Sequence, residues 1–343
     1  MRKAIFLLIL VLAFMVPQVF AETRYRVSQV DVDSSLFLNQ SFNNLGQLGA
    51  INSLAHPSIV ERSGLVRDIH TLGSGIYSTL EALNDRGEAA GALYSISGDA
   101  VGVYRYTRLH GMTNLGLPFE GDVSNIFVSS LNSRGALLTQ ANIEVEPGTE
   151  IVSSACIGCP QISEMPHFMA SSINDRFQIV GRMSDGRAML IGANGVWRDI
   201  SGNLGQNPWA RRINNRGVVM GDIFEPTSSG NIVRRTVLWS SNSGDRRVVP
   251  GLGNRDSSST YLHSMNNSNI AVGLSAAAES DFSNLKAVRW DPANGLRDLN
   301  TMLVGEGNVD LESAVAINDR GEILINNGAF SHPRYYLLQP VSQ

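Results

Sequence analysis

The sequence predicts an all-β fold, a seven-bladed β-propeller with four antiparallel strands in each blade. Three observations predict it: one short motif recurs along the chain, its copies lie 40 to 52 residues apart, and the two ends look like parts of one incomplete unit. Units of this length with four short strands are typical of propeller blades. A length of 343 residues would suggest two domains, but a repeat that runs from end to end predicts one closed array.

The repeated motif is an apolar residue, Asn-x-x-Gly and a short apolar run, as in AINDRGEIL at 316–324. Asn favours a type I turn because its side chain can bond the backbone further on, and Gly tolerates the positive φ that a following bulge needs. Apolar and β-branched flanks make each copy a predicted β-hairpin. The motif asparagines are Asn43, Asn84, Asn132, Asn174, Asn214, Asn266 and Asn318.

Two copies replace the motif glycine, with Phe177 in the fourth and Asn269 in the sixth. Asn accepts the left-handed backbone region far better than Phe does. We therefore expect the fourth turn to be distorted. The third unit is the least regular, because it has neither Trp nor an Asp-Leu pair between Leu138 and His167.

The strand before each motif Asn is rich in small residues, which suits the crowded centre of a propeller, so we expect it to be innermost. The hairpin turns then surround the axis on one face, which we call the short-turn face. The longer connections lie on the opposite, long-loop face; they are 225–232, 251–259, 275–284 and 300–310.

The two ends of the array predict how the ring closes. The last unit stops one strand short after 334–341, and residues 23–32 form a strand that belongs to no unit. If 23–32 pairs with 334–341, no sheet edge is left unpaired at the seam.

Residues 1–21 predict a secretory signal peptide. Arg2 and Lys3 precede an apolar run of 13 residues, which is too short for a comfortable membrane span, and Ala21 offers a cleavage site before Glu22. Residues 22–343 are then a single exported domain, periplasmic or extracellular, with no membrane span. The chain has 27 Lys and Arg against 31 Asp and Glu; loss of Arg2 and Lys3 makes it more acidic, which argues against nucleic-acid binding.

Cys156 and Cys159 are the only cysteines. In an exported protein this pair favours a local disulfide. A redox role would need a helix after the first Cys, and no helical pattern follows. Zinc would need two further ligands, and only His167 is close in sequence. We expect no cofactor and no metal.

Five copies of the motif carry Arg at the same turn position, and they are Arg86, Arg134, Arg176, Arg216 and Arg320. On the propeller they form a partial ring on the short-turn face, where several guanidinium groups could bind a phosphate or carboxylate near the axis. The alternative is that they are ordinary solvated residues. Acidic residues are assigned instead to the long-loop face, as solvated loop residues, and they are Asp222, Glu225, Glu279, Asp281, Glu306 and Asp310.

The AINDRG-like turns, KAVRWDP at 286–292 and LRDLNTML at 296–303 resemble the HAF-type probable extracellular repeat family. The resemblance covers essentially all of 22–343, although residues 287–290 replace the His-Ala-Phe triplet that names the family. It implies a β-propeller of secreted proteins, and it implies no activity and no catalytic residues.

No catalytic residue is predicted. The six His are scattered without HExxH spacing, and no Gly-x-Ser-x-Gly elbow occurs. We expect a monomer that binds an extracellular or envelope protein or glycan through its long-loop face. The alternatives are a polysaccharide hydrolase or lyase, with carboxylates and His in an axial pocket, and a purely structural envelope component.

Overall fold

The structure, a computed structural model, describes residues 23–30, 37–73, 75–146, 149–160, 164–202, 206–228, 230–241, 244–253, 257–277, 284–305, 309–328 and 334–341. Seven antiparallel sheets follow one another along the chain, each with four strands from the centre to the rim. The inner strand of the second sheet is divided into two short pieces. The predicted seven-bladed propeller is confirmed.

The chain begins with a strand that precedes the first blade. The strands of that segment and of blades 1 to 3 are β1 (Arg24–Gln29); β2 (Phe37–Phe42), β3 (Leu48–Ile51), β4 (Pro57–Val60) and β5 (Val66–Asp68); β6 (Ile76–Ser78), β7 (Ala82–Leu83), β8 (Ala89–Ser95), β9 (Ala100–Thr107) and β10 (Gly111–Asn114); and β11 (Asp122–Leu131), β12 (Leu137–Glu146), β13 (Thr149–Ile157) and β14 (Glu164–Pro166).

Blades 4 to 7 repeat this arrangement, and the last blade takes its outer strand from the start of the chain. Their strands are β15 (Phe168–Ile173), β16 (Ile179–Met183), β17 (Ala188–Ile191) and β18 (Trp197–Asp199); β19 (Gln206–Ile213), β20 (Val218–Pro226), β21 (Ile232–Ser240) and β22 (Arg246–Val249); β23 (Ser259–Met265), β24 (Ala271–Ala276), β25 (Lys286–Asp291) and β26 (Gly295–Asp298); and β27 (Ala314–Ile317), β28 (Ile323–Asn327) and β29 (Arg334–Val341). A 3₁₀ helix, Leu299–Met302, follows β26.

The seven hairpin turns share one backbone conformation. The residue three positions after each motif Asn donates its N–H to the Asn carbonyl at 3.0–3.1 Å, and its φ lies between 59° and 85°. Phe177 adopts φ 59° with the same bonds, so the expected distortion of the fourth turn is wrong. The left-handed region costs a non-glycine residue about 1–2 kcal/mol. That cost is offset because its ring packs against the core between blades 3 and 4 and lies 5.3 Å from the Arg134 guanidinium.

A closed ring of the seven motif asparagines joins all the blades; we call it the asparagine belt. The Nδ2 of each Asn donates to the backbone carbonyl of the Asn in the next blade at 2.9–3.3 Å, and Asn318 closes the ring onto Asn43. Each Oδ1 accepts the N–H groups two and four residues on, as Asn174 does from Arg176 and Gln178. All seven residues are buried, so one side chain shapes the turn and links neighbouring blades.

The inner strands carry an extra residue three positions before the belt Asn. It is unpaired with the second strand of the blade, as the register of β11, β15, β19, β23 and β27 shows. A bulge of this kind changes the direction of the side chains beside it. In blades 5 and 6 the extra residues are Arg211 and His263.

Apolar residues are buried between neighbouring blades. Each of the seven hydrophobic clusters takes residues from two adjacent sheets, as where Val180 and Leu190 of blade 4 meet Val219 and Trp239 of blade 5. The faces of the sheets are therefore covered all round the ring.

The seam between the ends of the chain is closed as predicted. β1 pairs antiparallel with β29, from Arg24 opposite Val341 to Gln29 opposite Tyr336. Tyr25, 1% exposed, packs into the cluster between blades 6 and 7. The predicted strand ran to residue 32, and residues 31 and 32 lie outside the described part of the chain.

The predicted disulfide is also confirmed, since Cys156 and Cys159 are bonded, with their Cα atoms 5.6 Å apart. It joins the end of β13 to the segment before β14 in the irregular third blade. No helix within the described ranges is both long and apolar enough to cross a bilayer. The predicted signal peptide, 1–21, lies outside those ranges.

Asn174→Asp tests the asparagine belt. The carboxylate still accepts from Arg176 and Gln178, but it loses the donor to the Asn214 carbonyl, 2.9 Å away, and faces Gln178 Oε1 at 2.8 Å. We expect the free energy of unfolding to fall by about 2–4 kcal/mol, measured by urea denaturation at pH 7. The control is Asn194→Asp, the same change at an exposed turn, where about 0.5 kcal/mol or less is expected. Equal losses in the two variants would contradict a structural role for the belt.

Candidate functional site

The five predicted turn arginines all lie on the short-turn face and are exposed. None of them lines the axial cavity, whose volume is about 280 Å³. Arg320 bonds Glu322 at 2.9 and 3.0 Å, and Arg134 lies over Phe177 of the next blade. The arginines are therefore not part of the lining of the axial cavity. Anion binding near the axis by Arg86, Arg134, Arg176, Arg216 and Arg320 stays a prediction.

Glu322, the partner of Arg320, is a buried acid. Its carboxylate accepts from Arg62, Asn318 and Arg320. Burial alone would raise the pKa of Glu322, but these hydrogen bonds outweigh it and lower the pKa to about 2. Arg320 is thus held by a structural ion pair.

The residues that do surround the axis on the short-turn face stand one position after each belt Asn. They form a second ring. In six of the seven members the backbone N–H donates to the side chain of the next member at 2.6–2.8 Å. Ser133 breaks the series because its side chain is too short. The ring is Asn44, Asp85, Ser133, Asp175, Asn215, Asn267 and Asp319. With three carboxylates, this mouth of the cavity is acidic.

Asp85 shows the cost of gathering these acids. Burial raises the pKa of Asp85; the N–H of Asn44 opposes the increase, and the carboxylates of Asp319 and Asp175 add to it. The charged form of Asp85 is therefore less favourable in the folded protein than in the unfolded chain.

The opposite end of the cavity differs in chemistry, because arginines and aromatic rings alternate there on blades 4 to 6. The guanidinium of Arg211 lies 4.2 Å from the ring centre of Trp209, and that of Arg234 lies 3.7 Å from the ring centre of Tyr261. Weaker contacts extend the series from Arg182 to Trp209 and from Arg234 to Phe224. We call these six residues the arginine–aromatic cluster. Trp209 and Arg211 precede Asn214 on the inner strand, which places the cluster near the axis on the long-loop face.

Asp222 links two arginines of the cluster through hydrogen bonds. It is 2% exposed, and its Oδ2 accepts from Arg211 and Arg234. Three arginines and one buried carboxylate line a depression of about 320 Å³, which also borders Asn207 and Phe224. Guanidinium groups stacked on rings and anchored by a carboxylate are pre-organised to bind an oxyanion.

The pKa of His263, on the inner strand of blade 6, is affected by arginines of the same region. Its ring lies 4.3 Å from that of Tyr261, edge to face, and its buried Nε2 has no hydrogen-bond partner among the described residues. Burial and the positive charges of Arg212, Arg234 and Arg211 lower the pKa of His263 to about 4. The imidazole is therefore neutral at pH 7.

The acids assigned to the long-loop face differ in burial and in their partners. Asp222 is a buried strand residue, which corrects its assignment as a solvated loop acid. Glu225 pairs with Arg235 at 3.6 Å, and Asp310 pairs with Lys286 at 2.9 Å. Glu279, Asp281 and Glu306 lie outside the described residues.

Two histidines that are distant in sequence meet between blades 1 and 2. The rings of His56 and His70 stack at 4.4 Å; His56 Nδ1 contacts Asp68 at 2.8 Å, and His70 Nδ1 contacts Ser78 Oγ at 2.7 Å. Ser78 is only 6% exposed, so this Ser–His contact is not open to a substrate. Within the described ranges, no group of three or more His, Cys, Asp or Glu is arranged to hold a metal ion.

No protein-family profile matches the sequence, and no curated protein is significantly similar to it. Among solved structures, the chain is similar to the β-propeller domain of the Trilobed protease from Pyrococcus furiosus, with 11% identity, 77% of this chain and 81% of that chain covered, and a TM-score of 0.46. It is similar to the WD40 β-propeller domain of Doa1, with 9% identity, 93% and 97% covered, and a TM-score of 0.47. It is similar to the AfRom2 CNH domain, with 9% identity, 93% and 100% covered, and a TM-score of 0.42. These similarities concern the fold and carry no argument about activity.

Asp85→Asn should stabilise the protein. Asn can still accept the Asn44 N–H, as Asn215 and Asn267 accept at the same position of other blades, and it removes one of three neighbouring charges. We expect a gain of roughly 0.5–1 kcal/mol at pH 7, measured by urea unfolding. Because the folded pKa is raised, the cost of the charge grows as pH rises above the unfolded value and disappears below about pH 3.9. Exposed Asp185→Asn, the control, should bring no gain. A gain that persists at pH 3 would contradict this explanation.

Proposed function

We propose that this protein is an exported β-propeller that binds a glycan or protein of the cell envelope or its surroundings through its long-loop face. The observation that carries the proposal is the arginine–aromatic cluster, where strands of blades 4 to 6 present guanidinium groups stacked on aromatic rings beside a depression. Arg and large aromatic residues dominate binding energy at recognition surfaces, and binding sites are usually built on one face of a rigid scaffold.

The proposal extends to origin and location. The motif resemblance supports membership of the HAF-type extracellular repeat family, and residues 1–21 support secretion to the periplasm or the medium, with the mature domain acting as a monomer. Export has a direct test: protein recovered from the periplasm or medium should begin at Glu22, as determined by mass spectrometry of the intact chain. Retention of Met1 in that protein would contradict cleavage.

Binding is tested on a glycan array, together with a pull-down from the envelope fraction, and each ligand found is then titrated against two variants. Arg182→Gln with Arg234→Gln disables the cluster while Arg211 still neutralises Asp222. Arg86→Gln with Arg216→Gln and Arg320→Gln removes the turn arginines. We expect the first variant to lose about 100-fold or more in affinity, because each charged hydrogen bond contributes roughly 1.5–3 kcal/mol, and the second to bind as the wild type does.

The two variants are controls for each other. Loss of binding only in the turn variant would move the site to the predicted ring of Arg86, Arg134, Arg176, Arg216 and Arg320. Unchanged binding in both variants would contradict both sites. The alternative function, polysaccharide hydrolysis or lysis, is tested on the same glycans, since it would produce new reducing ends or unsaturated products.

A further inference from the structure

Arg212 is the exceptional residue of the axial channel. Two positions before the belt Asn, the other six blades have only Ser or Ala, and these small side chains line the cavity; they are Ser41, Ala82, Ser130, Ser172, Ser264 and Ala316. Arg212 occupies the equivalent place in blade 5 and lines the same cavity. Among the described residues its side chain has no hydrogen-bond or ion-pair partner. Its side chain is exposed within the cavity, so the guanidinium group is accessible to an anion.

Hydroxyl groups complete the donor set around Arg212. The Oγ atoms of Ser130, Ser172 and Ser264 accept the backbone N–H of the residue before the next belt Asn, at 3.3, 3.4 and 3.2 Å. A hydroxyl oxygen that accepts a bond keeps its own proton to donate. None of the three donates to another described residue. A guanidinium group and three hydroxyl groups that can donate a proton therefore line one axial cavity.

The charges along the channel are arranged so that an anion would enter from one end. Asp85, Asp175 and Asp319 surround the mouth on the short-turn face, and their carboxylates repel an anion there. Towards the long-loop face, Arg212 lies close enough to Arg211 and Tyr261 for both to affect its pKa. Desolvation by the surrounding blades lowers that pKa most, Tyr261 opposes the decrease and Arg211 adds to it. Arg234 and neutral His263 follow, and Asp222 is the buried counter-charge. The positive end of the channel thus meets the arginine–aromatic cluster.

We propose that Arg212 and the hydroxyls of Ser130, Ser172 and Ser264 bind an oxyanion, a carboxylate, sulfate or phosphate group that enters from the long-loop face. The fork of a guanidinium matches two oxygens of such a group, and the charge of Arg212 excludes a cation. The proposal rests on the proposed function only in that the oxyanion belongs to the ligand of that face. Whether the channel itself holds an oxyanion is tested without that ligand.

The test compares inorganic sulfate with sodium chloride at equal ionic strength in thermal unfolding of the full domain. For a site of millimolar affinity, 20 mM sulfate should raise the melting temperature of the wild type by about 3 °C with saturation. Arg212→Ser, which introduces the residue found in four other blades, should lose the saturable rise and keep only the general effect of sulfate on protein surfaces. Arg216→Ser, an exposed arginine four residues on, is the matched control and should respond as the wild type does.

Equal sulfate responses in the wild type and Arg212→Ser would overturn the proposal, as would a wild type with no saturable response. If Arg212→Ser does not fold, Arg212→Gln gives the same comparison. A second arm titrates a carboxylated oligosaccharide, oligogalacturonate, by calorimetry. Sulfate binding that depends on Arg212, with no ligand found for the long-loop face, would support the channel site and reject the proposed function. A ligand that needs Arg182 and Arg234, with no saturable sulfate response, would support the proposed function and reject the channel site.

Discussion

The buried amide bonds of the asparagine belt are the interaction on which the rest of the structure depends. One Asn side chain accepts two N–H groups of its own turn and donates to the next blade, so turn shape and blade position are set together. An unpaired buried polar group costs about 1–3 kcal/mol, and neither Asp nor Gln reproduces the pattern: Asp lacks the donor, and Gln is longer by one methylene group. The turn tolerates Phe177 or Asn269 in place of Gly because the Asn still supplies these bonds.

The fold could be predicted because its information is local and repeated. Six or seven residues around each Asn specify the hairpin, and the spacing of the copies specifies the blade. Closure by the N-terminal strand could be predicted because both ends of the array were incomplete. The shape of the fourth turn could not, since the contacts that compensate for positive φ at Phe177 come from Arg134 and from the core between two blades. The strands β11 to β13 give the third blade long ladders of backbone hydrogen bonds. Their length could not be predicted, because no side-chain motif specifies it.

The candidate site was much less accessible to sequence reasoning. The turn arginines share a position, but sequence does not show that the residue before each of them faces the axis while the arginine does not. The arginine–aromatic cluster combines residues of three blades, from Arg182 to Tyr261, that no short motif contains. A signal did exist: Arg212 stands at an inner-strand position where the other six blades have Ser or Ala. Asp222 was misplaced because strand β20 extends to Pro226, so the residue is covered by the sheet.

Pairing of β1 with β29 makes the protein sensitive to the completeness of its own chain. Ser28 bonds a residue 309 positions away, so the contact that joins the ring is the most distant in sequence and carries the largest entropy cost of loop closure. A polypeptide that stops before Arg334 leaves β28 uncovered on one side and β1 without a partner. The unpaired backbone groups of these two strands then make the fragment prone to aggregation or proteolysis. The architecture thereby distinguishes a full-length product from a truncated one without any dedicated quality-control element.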